Sequence, residues 1–262
     1  MEKHVLCILC KNKSYKIYLG DKFDIYKCNF CSLGFLSPMP TDKFLKDFYS
    51  KNYFVKSDGE FGYLNYMQME SSLKQESLRK ISFMKKYTKG LSNLLDVGSG
   101  TGEFALNAKG ANFRAEVLDT SSWAINEAKK RKLVGYVSDM SPKTLPKKKY
   151  EILTAWDVVE HFKNPKDAFL SLNKLLKTNG LVFLTTPNTD SYDAKILGKN
   201  WYGFKKIPEH VLYFNSNSLS YLANETGFEL VVIKNWGFVR SLAFISDKLG
   251  KYNKYLAKTS MK

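Results

Sequence analysis

The feature that most constrains this fold is a glycine-rich turn between an apolar run and a helical segment. Residues 94–104 read LLDVGSGTGEF, in which Gly98, Gly100 and Gly102 alternate with small hydroxyl residues. A strand that enters such a turn and leaves it as a helix is the first half of a parallel βαβ unit, with the turn at a ligand-binding edge. A dinucleotide fingerprint would place the third glycine one residue later, so the spacing disfavours an NAD enzyme.

Strand-like and helix-like runs alternate from residue 91 to residue 237. Apolar runs with strand character lie at 93–98, 113–120, 135–139, 150–159 and 180–188, and a last one follows Gly227. Helical runs separate them, and Ser121 or Ser122 is a suitable N-cap for one of these helices. This alternation predicts an α/β domain with a doubly wound, Rossmann-like, mostly parallel sheet.

The four cysteines form two C-x2-C pairs, Cys7 with Cys10 and Cys28 with Cys31, and 17 residues separate the pairs. This spacing suits four thiolates on one tetrahedral zinc ion. The segment between the pairs alternates and contains a Gly20-Asp21 turn, which predicts a hairpin. We therefore expect residues 1–37 to form a zinc ribbon with a structural Zn²⁺; two disulfides or buried free thiols are the alternatives.

The remaining segments flank the main domain. Residues 38–90 contain helical runs, and we expect a helical connector or lid that packs on the main domain and could cover its site. Residues 238–262 predict a basic C-terminal helix or tail. The main domain between them spans 91–237.

Charge and hydropathy restrict the partners and the location. The 262 residues carry 41 Lys+Arg against 25 Asp+Glu, a formal net charge of +16, which favours anionic partners such as a nucleotide-linked substrate, RNA or a membrane surface. A lysine-rich surface that only keeps the chain soluble explains the charge equally well. No apolar run approaches the ~20 residues of a membrane span, and the N-terminus has no signal-peptide pattern, so we expect a cytoplasmic protein.

The glycine turn, together with acidic residues at later strand ends, resembles the class I S-adenosylmethionine (SAM)-dependent methyltransferases. LLDVGSGTG is similar to their first motif, TAWDVVEH (154–161) to the motif beside the transferring methyl, and SDM (138–140) to the adenine-binding segment. The resemblance implies that Asp96 serves the methionine end, Asp119 the ribose hydroxyls, Asp139 the adenine amine and Met140 the ring face. The complete implied cofactor site is Asp96, Gly98, Gly100, Gly102, Asp119, Thr120, Asp139, Met140, Trp156 and Asp157.

A wider resemblance covers the four-cysteine ribbon, the segment FLSPMPTDKFLKDFYSKNYF and the segment TTPNTDS…IPEHVLYF. Together they are similar to bacterial methyltransferases of sugar and surface-polysaccharide biosynthesis, some of which act on nucleotide-linked sugars. Members of that group that methylate carbon carry a sizeable further C-terminal domain, whereas 25 residues follow Gly237 here. We therefore expect O-methylation of a sugar hydroxyl in capsule or lipopolysaccharide synthesis, with sugar C-methylation as an alternative.

A sugar hydroxyl is a poor nucleophile, so we expect a general base. Of the three histidines, His210 in IPEHVLYF is the first candidate, His161 in VVEHFKNP is the second, and Glu209 could orient His210. Two other functions stay open. An RNA base methyltransferase with a zinc-ribbon RNA contact would suit the positive charge. A non-catalytic scaffold is disfavoured by the intact glycines and Asp119. The sequence leaves the oligomeric state and the acceptor sugar open.

Overall fold

A computed structural model describes residues 5–48 and 70–237 of the chain. The predicted C-terminal helix or tail, 238–262, and part of the connector, 49–69, lie outside the described residues. Within the described ranges, no helix is both long and apolar enough to cross a membrane.

The larger sheet is parallel and forms the centre of the Rossmann-like domain. Its strands are β5 (Asn93–Val97), β6 (Arg114–Asp119), β7 (Gly135–Val137), β8 (Tyr150–Trp156) and β9 (Leu176–Thr185). Their order in the sheet is β7-β6-β5-β8-β9, and every ladder is parallel. The order reverses between β5 and β8, so the carboxyl ends of these two strands border the crevice in which such folds bind ligands.

Helices cover both faces of this sheet. They are α2 (Glu70–Met84), α3 (Glu103–Gly110), α4 (Ser122–Lys130), α5 (Pro165–Leu175), α6 (Tyr192–Leu197) and α7 (Ser216–Glu225). Ser121 caps α4 by accepting a hydrogen bond from the Ala124 N–H, which decides between the two predicted caps. Asn215 and Ser218 form a capping box at α7. These local signals explain why the helix starts were predictable.

The smaller sheet is antiparallel and carries the cysteines. Its strands are β1 (Val5–Leu6), β2 (Lys13–Tyr18), β3 (Asp24–Cys28), β4 (Gly34–Ser37) and β10 (Leu212–Tyr213), in the order β1-β2-β3-β4-β10. The predicted hairpin around Gly20-Asp21 is the β2–β3 pair. A short helix, α1 (Asp42–Phe48), follows.

The two sheets are joined by side-chain packing and by β10, a strand from the later part of the chain that pairs with the smaller sheet. β10 comes from the far end of the chain and pairs with β4, with Leu212 opposite Phe35 and Tyr213 opposite Gly34. Buried side chains of the ribbon, such as Leu33 and Phe35, belong to the same apolar cluster as Leu153 of β8. The ribbon is therefore anchored to the main domain through its own core.

The predicted strand after Gly227 is wrong. Residues 228–237 form no strand, and Leu230, Val231, Val232 and Ile233 are exposed. The segment is held by side chains instead: Trp236 Nε1 donates to Glu76 Oε1 at 2.6 Å, and the Arg79 guanidinium lies 4.9 Å from the Trp236 ring centroid. An apolar run forms a strand only when a neighbouring strand pairs with it, and this segment contacts α2 through Trp236 instead.

Candidate active site

The glycine turn lies at the carboxyl end of β5 and adopts a conformation that favours glycine. Gly98, Gly100 and Gly102 all have positive φ angles, of 68°, 53° and 83°. A Cβ atom at Gly98 would lie 2.4 Å from a methyl group of Val158, so the turn packs directly on the segment that follows β8. The turn and the end of β8 therefore share one rim of the crevice.

Asp119 fixes this turn from the neighbouring strand. Its Oδ2 accepts a hydrogen bond from the Gly100 N–H at 2.8 Å, and its Oδ1 accepts one from the Ser121 N–H at 2.8 Å. Each carboxylate oxygen has a second lone pair, which a vicinal diol could use. Burial raises the pKa of Asp119. Thr120, beside it, is exposed at the rim.

Asp96 is the most deeply buried carboxyl group of the predicted cofactor site. It is 2% exposed, and Thr154 Oγ1 donates a hydrogen bond to its Oδ1 at 2.6 Å. Burial raises the pKa of Asp96 to about 7, although the Thr154 bond and the positive charge of Lys80 oppose the rise. The group is thus poised to ionise when a cationic ligand arrives.

Lys80 is a residue that the sequence analysis missed. It lies on α2, is 8% exposed, and places its Nζ 4.7 Å from the Trp156 ring centroid. Trp156 also packs edge-on against Phe104, and its Nε1 is buried with no hydrogen-bond partner in the part of the chain that the structure describes. A buried lysine is unusual unless it is paired or meets a ligand, but the burial of Lys80 is set by the fold and left no signal in the sequence.

The other predicted cofactor residues lie at the ends of β7 and β8. Asp139 is exposed, and hydrogen bonds from Ser141 and Thr144 lower its pKa to about 2. Met140 is 5% exposed and belongs to the apolar core. Asp157 has a φ of 56° and accepts a hydrogen bond at Oδ1 from Thr185 Oγ1 at 3.0 Å. Their adenine and methyl-proximal roles stay predictions.

The two candidate base residues come together beside this rim. The rings of His161 and His210 lie 5.0 Å apart at an interplanar angle of 80°. His161 Nδ1 lies 2.8 Å from the Glu209 carbonyl oxygen, while the Glu209 carboxylate pairs with Lys206 at 3.3 Å. Burial, with repulsion from His161 and Lys206, lowers the pKa of His210 to about 2. The imidazole is therefore neutral at physiological pH.

Glu160 completes this group and was also missed. It is 1% exposed, and its Oε1 lies 3.9 Å from His210 Nε2. Burial and repulsion from Asp157 raise its pKa well above the ordinary value. A charged residue that follows an apolar strand is expected to be exposed to solvent. In the structure, the 3₁₀ turn Val159–His161 directs the Glu160 side chain inward.

A cavity of about 460 Å³ opens between the ribbon hairpin, α1 and the segment before His210. Its far wall includes Ile207 and Pro208, which directly precede Glu209 and His210 in the chain. Its remaining lining is mainly aromatic, with Tyr18, Phe23, Phe44 and Phe204, and its charged residues are Lys22, Lys205 and Asp21. A cavity of this composition suits a planar, anionic ligand.

The four cysteines converge at one end of the ribbon. The Sγ atoms of Cys10 and Cys28 lie 3.4 Å apart, and Cys31 Sγ lies 3.6 Å from the sulfurs of both Cys7 and Cys10. Four ligands at the Zn–S distance of about 2.3 Å stand roughly 3.8 Å apart at tetrahedral angles, so the cluster fits the ion. The four thiols form no disulfide.

Comparison with known proteins assigns the larger sheet and its helices to a known protein family. Residues 68–233, more than half of the chain, match the family described as "Methyltransferase domain". The ubiquinone biosynthesis O-methyltransferase of Rickettsia akari (strain Hartford) is 28% identical over 146 residues, which are 53% of this chain and 56% of that protein. Malonyl-[acyl-carrier protein] O-methyltransferase 2 of Ilyobacter polytropus is 30% identical over 107 residues, 38% of this chain and 41% of that protein. The chain thus spans about half the length of these curated relatives.

Solved structures agree on the fold. A SAM-dependent methyltransferase from Archaeoglobus fulgidus superposes with a TM-score of 0.51 at 19% identity, covering 72% of this chain and 91% of that chain. At this identity the likeness establishes the fold of the parallel-sheet domain.

Proposed function

The chain belongs to the methyltransferase-domain family, and we propose that it transfers the methyl group of SAM to a hydroxyl of a nucleotide-linked sugar in capsule or lipopolysaccharide biosynthesis. One observation carries the proposal. The glycine turn after β5 packs on Val158, which follows β8. Three residues later, His161 lies beside His210 in a buried polar group. A cofactor on the turn would then present its methyl group toward that polar group.

On the cofactor side, we assign the ribose hydroxyls to Asp119 and the methionine amino group to Asp96. Lys80 is the group we add for the methionine carboxylate, because it is a buried cation near Asp96 and Trp156. Thr120, Asp139 and Met140 complete the predicted adenosine side, and we assign Trp156 and Asp157 to the side of the transferring methyl group. Glycine at 98, 100 and 102 lets the backbone approach the ligand closely.

On the acceptor side, the aromatic and basic cavity beside the ribbon supports a nucleotide-linked substrate. Phe23, Phe44 and Phe204 could stack on a base, and Lys22 and Lys205 could meet phosphates. Pro208 lines the cavity two residues before His210 in the chain, which supports a sugar bound on the side of the imidazole pair. The relatives named O-methyltransferases support an oxygen acceptor.

The transfer is an in-line displacement. The acceptor oxygen would attack the methyl carbon, the C–S bond would break, and its electron pair would stay on sulfur, which gives S-adenosylhomocysteine. The protein must align oxygen, carbon and sulfur and must remove the hydroxyl proton. His210, predicted as the proton acceptor, is neutral, but a pKa near 2 makes it a weak base without further help.

We also propose a structural zinc ion on Cys7, Cys10, Cys28 and Cys31. All four positions would be filled by thiolates, which leaves no open coordination site, so this ion would stabilise the ribbon and take no part in the reaction.

The test is S-adenosylhomocysteine release against a panel of nucleotide sugars, with the methylated product identified by mass spectrometry. We expect turnover with at least one nucleotide sugar and a product whose added methyl is an ether on oxygen. A new carbon–carbon bond would instead establish sugar C-methylation.

Ribosomal and transfer RNA serve as competing acceptors in the same assay, because the charge of +16 also suits polyanions. RNA binding weakens by orders of magnitude between low and physiological salt, whereas binding of one nucleotide sugar changes far less. Methylation of RNA without turnover of any sugar would contradict the proposal.

A further inference from the structure

We infer that α6 and the turn after it form a surface that binds an anionic lipid bilayer. This goes beyond the proposed function, because it concerns where the protein works and holds for any acceptor. The surface, called the α6 patch below, consists of exposed apolar and basic side chains: Tyr192, Lys195, Ile196, Leu197 and Lys199.

Two large side chains of α6 stand clear of the protein surface. Tyr192 is 82% exposed and Ile196 is 81% exposed, more than any other large apolar side chain in the described ranges. They are four residues apart, so they lie side by side on one face of the helix. Leu197, 44% exposed, extends the apolar surface. A contiguous apolar patch of this kind marks a contact with a protein or a membrane.

Contacts on the opposite side of α6 fix this orientation. Ala194, which lies about half a turn from both Tyr192 and Ile196, is buried in the apolar core. Trp201 is 4% exposed, and its Nε1 donates a hydrogen bond to Asp193 Oδ2 at 2.8 Å. The exposure of the tyrosine and the isoleucine is therefore a property of the fold.

The segment that carries the patch is basic. Residues 191–206 contain four lysines and one acidic residue, Asp193, whose carboxylate is bound to Trp201. Lys195 and Lys199 are exposed beside the apolar pair. Anionic headgroups attract lysines near the membrane surface, while tyrosine and aliphatic side chains enter the boundary between headgroups and acyl chains. The α6 patch offers both interactions together.

The charge and shape of the patch favour a bilayer over the other possible partners. A second copy that docked through the same patch would bring lysines against lysines, which is unfavourable. A rigid acidic protein would need a separate pocket for each protruding side chain, whereas lipids rearrange around them. An anionic bilayer therefore meets the requirements of the patch most simply.

Binding at a bilayer would also bring the acceptor cavity close to the headgroups. Phe204 and Lys205 line that cavity, and they follow the patch by only a few residues. An acceptor held at the membrane surface would then meet the protein at a raised local concentration. This consequence rests on the proposed function of the cavity, whereas the binding itself does not.

The test is sedimentation of the full-length protein with phosphatidylcholine vesicles that contain phosphatidylglycerol. We expect the parent to bind, and the double variant Tyr192→Ser with Ile196→Ser to bind at least about tenfold more weakly, because two inserted side chains are lost. The matched control is Leu6→Ser with Tyr15→Ser on the ribbon, where the side chains are 54% and 49% exposed. It also removes one aliphatic and one tyrosine side chain, and it should bind like the parent.

A second pair of variants tests the charge. Lys195→Gln with Lys199→Gln should weaken binding by roughly tenfold, because each lysine near the surface contributes to the attraction. Lys85→Gln with Lys86→Gln removes the same charge just after α2 and should have a far smaller effect. All these side chains are exposed, so the melting temperatures of the variants should match the parent and confirm that they fold.

Three results would overturn the inference. The first is a parent that does not bind these vesicles, and the second is equal binding by the parent and either folded α6-patch variant, or equal loss in its control. The third is self-association of the parent without vesicles that Tyr192→Ser with Ile196→Ser abolishes, which would assign the patch to a second copy. No SAM or sugar is present, so these results are independent of the proposed reaction.

Discussion

At the scale of single residues, Asp96 shows how a residue assigned to a cofactor site can lower the stability of the fold. It is fully buried, its one described hydrogen bond comes from Thr154, and its pKa is raised to about 7. Burial there disfavours the charge that a cationic ligand needs. The cofactor's amino group and sulfonium would restore that charge, so cofactor binding and ionisation of Asp96 should be coupled.

We therefore predict that the affinity for SAM rises with pH up to about 7 and then levels off. Below pH 7 the protein must release the Asp96 proton to bind, which weakens the affinity by up to about tenfold per pH unit. Isothermal titration calorimetry at pH 6, 7 and 8 in buffers of different ionisation enthalpy would measure affinity and proton release. Asp96→Asn should bind weakly with no pH dependence of this kind, whereas Asp119→Asn should bind weakly and keep it.

The same shift predicts how stability changes with pH. A carboxyl group whose pKa is raised in the folded state contributes stability that is fully present below its pKa in the unfolded chain, near 4. This contribution is lost progressively as the pH rises to the folded-state pKa of about 7, because the unfolded chain ionises first. For Asp96 the loss is roughly 4 kcal/mol. Urea unfolding of the ligand-free protein should show this decline in the parent, and the decline should be smaller in Asp96→Asn. Equal slopes for both proteins would contradict the assignment.

At the scale of elements, local signals predicted most helices and strands, and tertiary contacts decided the exceptions. The glycine turn, the cap at Ser121 and the ribbon hairpin follow from nearby residues alone. The strand expected after Gly227 does not form, because Trp236 is bound to α2. β10 was not predicted, since two residues that pair with β4 have no periodicity of their own. Glu160 and Lys80 were missed because only the fold turns them inward.

The β4–β10 pairing gives a prediction at this scale. A Cβ atom at Gly34 would lie 2.8 Å from the Tyr213 Cβ and 3.2 Å from its carbonyl oxygen, so Gly34→Ala must push the two strands apart. We expect a loss of about 1–3 kcal/mol in the free energy of unfolding, measured by urea denaturation. Gly110→Ala is the control. Gly110 lies at the end of α3, where an added Cβ atom would have no neighbouring atom within 4 Å, so this substitution should raise the free energy of unfolding by about 0.5–1 kcal/mol. Unchanged stability of Gly34→Ala would refute the close pairing.

At the scale of the whole molecule, the ribbon and the parallel sheet share one apolar cluster, so they should unfold together. The spacing of the cysteines predicted the ribbon, but its union with the methyltransferase domain depends on packing between residues distant in sequence, such as Phe35 and Leu153 of β8 in one apolar cluster. Long-range packing of this kind leaves no local pattern, and the cavity between the ribbon hairpin and the segment before His210 was unpredictable for the same reason.

Removal of the proposed zinc ion should therefore destabilise the entire described fold. We expect that a chelator, or Cys28→Ser, lowers the melting temperature of a single cooperative transition, because metal binding contributes folding free energy to a shared core. Differential scanning calorimetry with and without chelator would measure this. Two separate transitions, of which the chelator moves only one, would show that the ribbon folds independently.

We place methyl transfer between the glycine turn and the imidazole pair, and the kinetics of His210→Gln are the decisive test of this placement. SAM affinity should stay within about twofold of the parent, because the assigned cofactor contacts lie on other residues. The turnover number should fall by roughly 10²–10⁴, the usual contribution of a group that assists proton removal. A folded His210→Gln that binds SAM normally and turns over at the parent's rate would contradict this placement of the reaction.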